Sequence, residues 1–208
     1  MTAISPENHL VARPETTIHP LWVRITHWIN ALAIILMMMS GWQIYNASPL
    51  FAFSFPPEVT LGGWLAGGLM WHFAAMWLFV VNGLVYVALG IATGRFRRKL
   101  FPISLTEAGS NVTDAITFRL PHANPAAYNA VQKLLYLGVI VVGFLAALSG
   151  LAIWKPVQFQ HLTALFGGYD AARYVHFVAM AAIAGFLVVH VALALIVPRS
   201  LRAMITGR

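Results

Sequence analysis

The chain has no cysteine among its 208 residues. That excludes an internal disulfide, a thiolate-held iron–sulfur cluster and covalent haem attachment through a C-x-x-C-H motif. Charge is scarce as well: Asp, Glu, Lys and Arg together make up 9% of the residues, and only 6 of them are acidic. A soluble domain carries about 25% charged residues, so a water-solvated fold is excluded on composition. No glycine-rich dinucleotide fingerprint follows a strand-like run. The first twenty residues include Glu7 and Glu15 and lack an apolar segment ending in a small-residue cleavage site, which predicts that the first helix stays as an anchor. Any redox cofactor must then be held noncovalently.

What is present is apolar surface, with 60% hydrophobic residues and a mean hydropathy of +0.76. Four charge-free stretches lie between Arg24 and Glu58, Glu58 and Arg95, Lys133 and Lys155, and Arg173 and Arg199. Each is long enough to cross about 30 Å of hydrocarbon as a helix. The predicted fold is a single all-α integral membrane domain, a bundle of four transmembrane helices at about 22–46, 62–93, 128–154 and 171–197. Residues 1–21 form a tail. Residues 94–127 form a segment opened by the basic run Arg95, Arg97, Arg98 and Lys99, with a surface helix at 105–118 begun by a Ser104/Glu107 capping box and ended before Pro121 and Pro125. No internal repeat is apparent. The tails and this segment hold 11 of the 13 basic residues, whereas the other two loops hold only Lys155 and Arg173. By the positive-inside rule both termini are cytoplasmic. The net charge of +7 reads as contact with anionic headgroups, and nucleic acid is not expected as a partner.

Four histidines stand in these apolar runs: His27, His72, His176 and His190. Ionisable groups at membrane depth are functional by default. His176 and His190 are fourteen residues apart, just under four turns, so both leave one face about 21 Å apart along the axis. His27 lies roughly 8 Å and His190 roughly 10 Å from the inner boundary, while His72 and His176 lie roughly 15 Å and 8 Å from the outer one. Depth therefore pairs His27 with His190 and His72 with His176. A neutral imidazole on each side of a haem iron gives a six-coordinate site that transfers electrons and leaves no position for substrate. The second ring nitrogen needs an acceptor, and the carbonyl one turn earlier in the same helix is within reach. Arg24 and Arg173 each precede a histidine by three residues, on the same face and nearer the surface, where each is placed to meet a haem propionate. His9, His19, His122 and His161 are expected to face solvent.

The stretch His19-Pro-Leu-Trp-Val-Arg-Ile-Thr-His27-Trp28, the histidine of the second helix and the two histidines of the fourth resemble the bacterial cytochrome b561 family. That group includes the dihaem cytochrome b subunits of nickel–iron hydrogenases and of formate dehydrogenase. The resemblance implies two noncovalent haem b groups with His27 and His190 as the inner ligands and His72 and His176 as the outer, electron exchange with membrane quinone, and a periplasmic redox partner of the molybdenum-enzyme or hydrogenase type. Tyr128-Asn-Ala-Val-Gln-Lys133 is similar to a formate dehydrogenase stretch beside the inner haem, which implies Asn129 and Lys133 as quinone contacts; Val131 stands where that subunit has glycine. An electron-transfer subunit is expected rather than a stand-alone enzyme, in the inner membrane, with a homodimer left open. A self-sufficient superoxide-to-ubiquinone oxidoreductase is the alternative within the family, and a non-redox helical anchor the alternative outside it.

The outer loops carry Phe51, Phe53 and Phe55 ahead of Pro56-Pro57, and Phe159, Leu162, Leu165 and Phe166 around His161. Two readings stand side by side: an aromatic belt against headgroups, and a docking face for the partner.

Overall fold

A computed structural model describes residues 18–100 and 130–207. The surface helix expected at 105–118, and with it Asn129, His9 and His122, lies outside the described residues. Among the described residues the chain is helical with no strand, and four helices are long and apolar enough to cross a membrane. They are α1 (Leu21–Ala47), α2 (Leu65–Ala92), α4 (Ala130–Trp154) and α6 (Tyr169–Ile196). Three shorter helices accompany them: α3 (Arg95–Leu100), α5 (Gln160–Leu165) and α7 (Pro198–Thr206).

The helix limits follow from local chemistry. Pro20 precedes α1, and its carbonyl accepts from the N–H groups of Val23 and Arg24. The expected start of the second helix at residue 62 is corrected to Leu65. Gly62 and Gly63 have φ of 114° and 72°, outside helical space. A Cβ on Gly67 would also collide with the Gly62 carbonyl oxygen, so this turn closes only on bare backbone. At the other end of the chain, Pro198 lacks an N–H and begins a new helix, separating α7 from α6 at Val197.

Chain neighbours pack as hairpins, α1 against α2 and α4 against α6. Their interfaces are built from small residues: Ala33, Ser40, Ser149, Ala152 and Ala172 are each 0% exposed, while Met70 and Val188 are 72% and 70% exposed. This inversion of a soluble core is what lipid requires, because small side chains let backbones approach while large apolar ones meet acyl chains. Asn82 of α2 joins the first hairpin by donating to the Thr26 carbonyl and to Asn30 Oδ1, both at 2.8 Å. Interhelical bonds of this kind contribute roughly 0.6–2 kcal/mol each in a membrane.

The two hairpins are tied at both ends. At one end the Ile18 N–H donates to the Gly207 carbonyl at 2.9 Å, and Arg95 lies 3.3 Å from the His19 ring; this end carries both described termini. At the other, Arg173 of α6 donates to the Ser48 carbonyl at the end of α1, and within the first hairpin Asn46 exchanges two hydrogen bonds of 2.8 Å with the Phe55 backbone. There Phe51, Phe53, Tyr45 and Phe177 stack at ring distances of 5.2–6.4 Å. The phenylalanines of the first outer loop thus close the end of the bundle, and Phe51 and Phe53 still keep 45% and 46% of their surface exposed.

Candidate electron-transfer site

The depth-matched histidines are neighbours in space. His27 of α1 and His190 of α6 have ring centroids 5.9 Å apart, and His72 of α2 and His176 of α6 stand 6.3 Å apart. Imidazole nitrogens lie about 2.0–2.1 Å from a transition metal and the ring centroid about 1.1 Å beyond, so two rings on opposite sides of one metal have centroids about 6.3 Å apart. Both pairs have the separation of axial ligands. Among the described residues no cluster of three or more His, Cys, Asp or Glu is placed for a bare ion. Two imidazoles alone suit a metal that brings its own equatorial nitrogens, as haem iron does.

The outer pair is held in a form suited to ligation. Ser40 Oγ lies 3.1 Å from His72 Nδ1, and Ser149 Oγ lies 3.1 Å from His176 Nδ1. Each hydroxyl already donates to its own helix, Ser40 to the Leu36 carbonyl at 2.6 Å and Ser149 to the Leu145 carbonyl at 2.7 Å. Its lone pairs therefore accept. His176 Nδ1 also lies 3.0 Å from the Ala146 carbonyl, which can only accept. Nδ1 carries the proton in both rings, and Nε2 keeps the lone pair a metal needs. For His176 the expected acceptor, a carbonyl one turn earlier in the same helix, is corrected: it is the Ala146 carbonyl of the neighbouring helix α4, because Gly150 lets the ring press against that backbone and the Ala146 oxygen has a second lone pair to accept with.

Sequence reasoning missed Ser40 and Ser149, and with them a repeat. Leu36-Met37-Met38-Met39-Ser40-Gly41 and Leu145-Ala146-Ala147-Leu148-Ser149-Gly150 occupy equivalent places in α1 and α4. His72 follows Leu65, the first residue of α2, by seven, and His176 follows Tyr169, the first of α6, by the same seven. In each half a Ser-Gly notch on one helix faces the histidine of the next. A Cβ on Gly150 would stand 3.1 Å from His176 Cε1, so glycine keeps room for that ring, whereas one on Gly41 would make an ordinary contact of 3.4 Å with His72 Cε1. A shared Ser-Gly dipeptide was the only available signal.

Both arginines have partners within the fold. Arg24 donates to the Ile205 carbonyl near the end of α7, and Arg173 donates to the carbonyl and hydroxyl of Ser48 at the end of α1; Asp170 lies 3.9 Å from Arg173. Exposed carbonyls at helix C-termini attract cations. Among the described residues Arg24 Nε and Trp42 Nε1 are buried with no hydrogen-bond partner, two orphaned donors of the kind an acid group would satisfy. Lys133 stands near the start of α4. His161 is exposed on α5.

Residues 18–207 match the sequence profile of the Prokaryotic cytochrome b561 family. The chain is 52% identical over 190 residues to a putative protein-methionine-sulfoxide reductase subunit, YedZ1, of Azospira oryzae, covering 91% of this chain and 96% of the relative. It is 25% identical to a probable Ni/Fe-hydrogenase B-type cytochrome subunit of Cupriavidus necator, covering 85% of this chain and 77% of the relative. A probable Ni/Fe-hydrogenase B-type cytochrome subunit of Bradyrhizobium diazoefficiens is 26% identical, with 87% and 78% covered. The paired histidines, the four apolar helices and these likenesses converge: the chain belongs to the prokaryotic cytochrome b561 family, a multi-pass membrane protein with a haem-based electron-transfer role.

Proposed function

We propose that the chain is a dihaem b-type cytochrome of the bacterial inner membrane, both termini cytoplasmic, that carries electrons between quinone and an oxidoreductase on the outer face. The observation that carries this reading is the two facing imidazole couples, with centroids 5.9 Å and 6.3 Å apart at two depths. His27 and His190 would hold the inner haem, and His72 and His176 the outer. A haem held between two histidines supplies a one-electron couple with no open position. The chain orients those imidazoles, keeps water away with apolar helices, and offers Arg24 at the inner level and Trp42 and Arg173 at the outer level to the propionates. The 11-to-2 distribution of basic residues supports the orientation.

The 52% identity to a putative protein-methionine-sulfoxide reductase subunit, against 25% and 26% for the hydrogenase subunits, favours a sulfoxide reductase as the outer partner. Oxidation of one quinol releases two electrons and two protons. Reduction of one sulfoxide to a thioether consumes two electrons and two protons and yields water, so the stoichiometry closes with the chain passing electrons singly.

The quinone headgroup is assigned to an apolar cleft of about 150 Å³ between α4 and α6, lined by Leu134, Gly138, Val142, Ile183 and Phe186. A cavity near 150 Å³ takes one six-membered ring. Phe186 stacks on His190, with centroids 5.6 Å apart at 14°, so a ring in this cleft lies one side chain from the inner ligand. Lys133 precedes the first lining residue, and Lys133 and Asn129 are assigned as donors to the quinone carbonyls. In purified protein, quinol is expected to reduce the haems, and Gly138→Phe to slow that reduction at least tenfold with haem content unchanged. An unaltered rate in the variant would remove quinone from this cleft.

A further inference from the structure

The two histidine pairs differ in what lies behind them. Both outer imidazoles give their Nδ1–H to a serine hydroxyl, and His176 also lies within hydrogen-bond reach of the Ala146 carbonyl. Among the described residues neither His27 nor His190 has a hydrogen-bond partner on its ring. Their neighbours are aromatic faces, Trp28 at 5.3 Å and Phe186 at 5.6 Å. The repeat explains the difference. The outer pair sits at equivalent positions of the two hairpins, each supplied with its Ser-Gly notch. Carried over by the same spacing, the counterparts of His27 and His190 are Tyr136 and Tyr86, so the inner pair departs from the repeat and inherits no notch.

An acceptor on Nδ1–H pushes electron density toward Nε2 and makes the imidazole a stronger donor. A stronger axial donor stabilises the oxidised metal and lowers its reduction potential. Among the described residues this hydrogen-bond contribution is confined to the outer site. We propose that Ser40 and Ser149 are positioning residues that fix His72 and His176 as Nε2 donors and make the outer site the lower-potential, more strongly reducing of the two. This rests on the bis-histidine reading above and deepens it, since it names the hydrogen bonds that set the outer site's potential. An inside-negative membrane potential also drives an electron outward, which offsets the lower intrinsic potential of the acceptor site.

The test is a redox titration of the haem absorbance in the purified full-length protein, with His176→Ala and His190→Ala used to assign the outer and inner components. The outer component is expected at the lower potential. The double variant Ser40→Ala/Ser149→Ala is expected to raise that component by a tenfold shift in the oxidation equilibrium, about 59 mV for a one-electron couple, and to leave the inner one in place. Threonine at both positions keeps the hydroxyls and is expected to restore the wild-type value. Single alanine variants carry the same direction with a smaller shift, should the double variant not accumulate. An inner component at the lower potential, or an outer component unmoved by loss of the hydroxyls, overturns the proposal. Histidine variants that leave the haem content unchanged would instead overturn the bis-histidine reading beneath it.

Discussion

Alanine in place of His176 is expected to remove the outer haem and leave the inner, and alanine in place of His190 to do the reverse. α6 supplies one histidine to each pair, so substitutions on this single helix address the two pairs separately. Loss of a second-sphere partner typically costs 10–100-fold in metal affinity, and loss of the ligand itself should cost about 100-fold or more. In each variant the haem content should fall to about half of the wild-type value, with one redox component missing and the other at its original potential. Quinol should still reduce the haem that remains in His176→Ala, because the cleft beside Phe186 and His190 is untouched. In His190→Ala that reduction should be lost.

The second large effect is steric. A Cβ on Gly150 would meet His176 Cε1 at 3.1 Å and Nδ1 at 3.4 Å, whereas a Cβ on Gly41 would meet His72 at 3.4 Å and 3.7 Å. Valine at 150 adds two further methyl groups against a ring whose Nδ1 is already committed to Ser149 and Ala146. The imidazole must leave either its hydrogen bonds or its alignment with His72. Gly150→Val is therefore expected to abolish outer haem binding with the inner haem retained, and Gly41→Ala to remain near wild type. Haem quantification and redox titration of the two variants check this. A Gly150→Val protein with both components intact would show that the Ser-Gly notch is not part of the outer site.

Much of the architecture was legible because the bilayer simplifies the code. Charge-free length marks a span, and a fixed rise per residue converts position into depth, which is how His27 finds His190 and His72 finds His176 without any tertiary information. The start of α2 was misread because Gly62 and Gly63 are as apolar as the helix they precede, and hydropathy carries no information on φ. Ser40 and Ser149 escaped notice because one hydroxyl in an apolar run alters neither periodicity nor composition; its meaning comes from the ring it faces on another helix. The arginines were read from spacing alone. Spacing fixes their helix face, yet the exposed carbonyls at the ends of α7 and α1 compete for the same guanidinium donors. Trp42 gave no signal, since an unpaired indole N–H is a property of packing. The phenylalanine-rich loop was read as a belt or a docking face, and it also closes the bundle through Tyr45 and Phe177.

The central claim is two bis-histidine haems in one chain, and the most direct measurement is the haem-to-protein ratio of the purified full-length protein, taken with its reduced-minus-oxidised spectrum. The account predicts two haem b per chain with six-coordinate, low-spin spectra. A ratio of one, or a spectrum without a b-type haem, would contradict it.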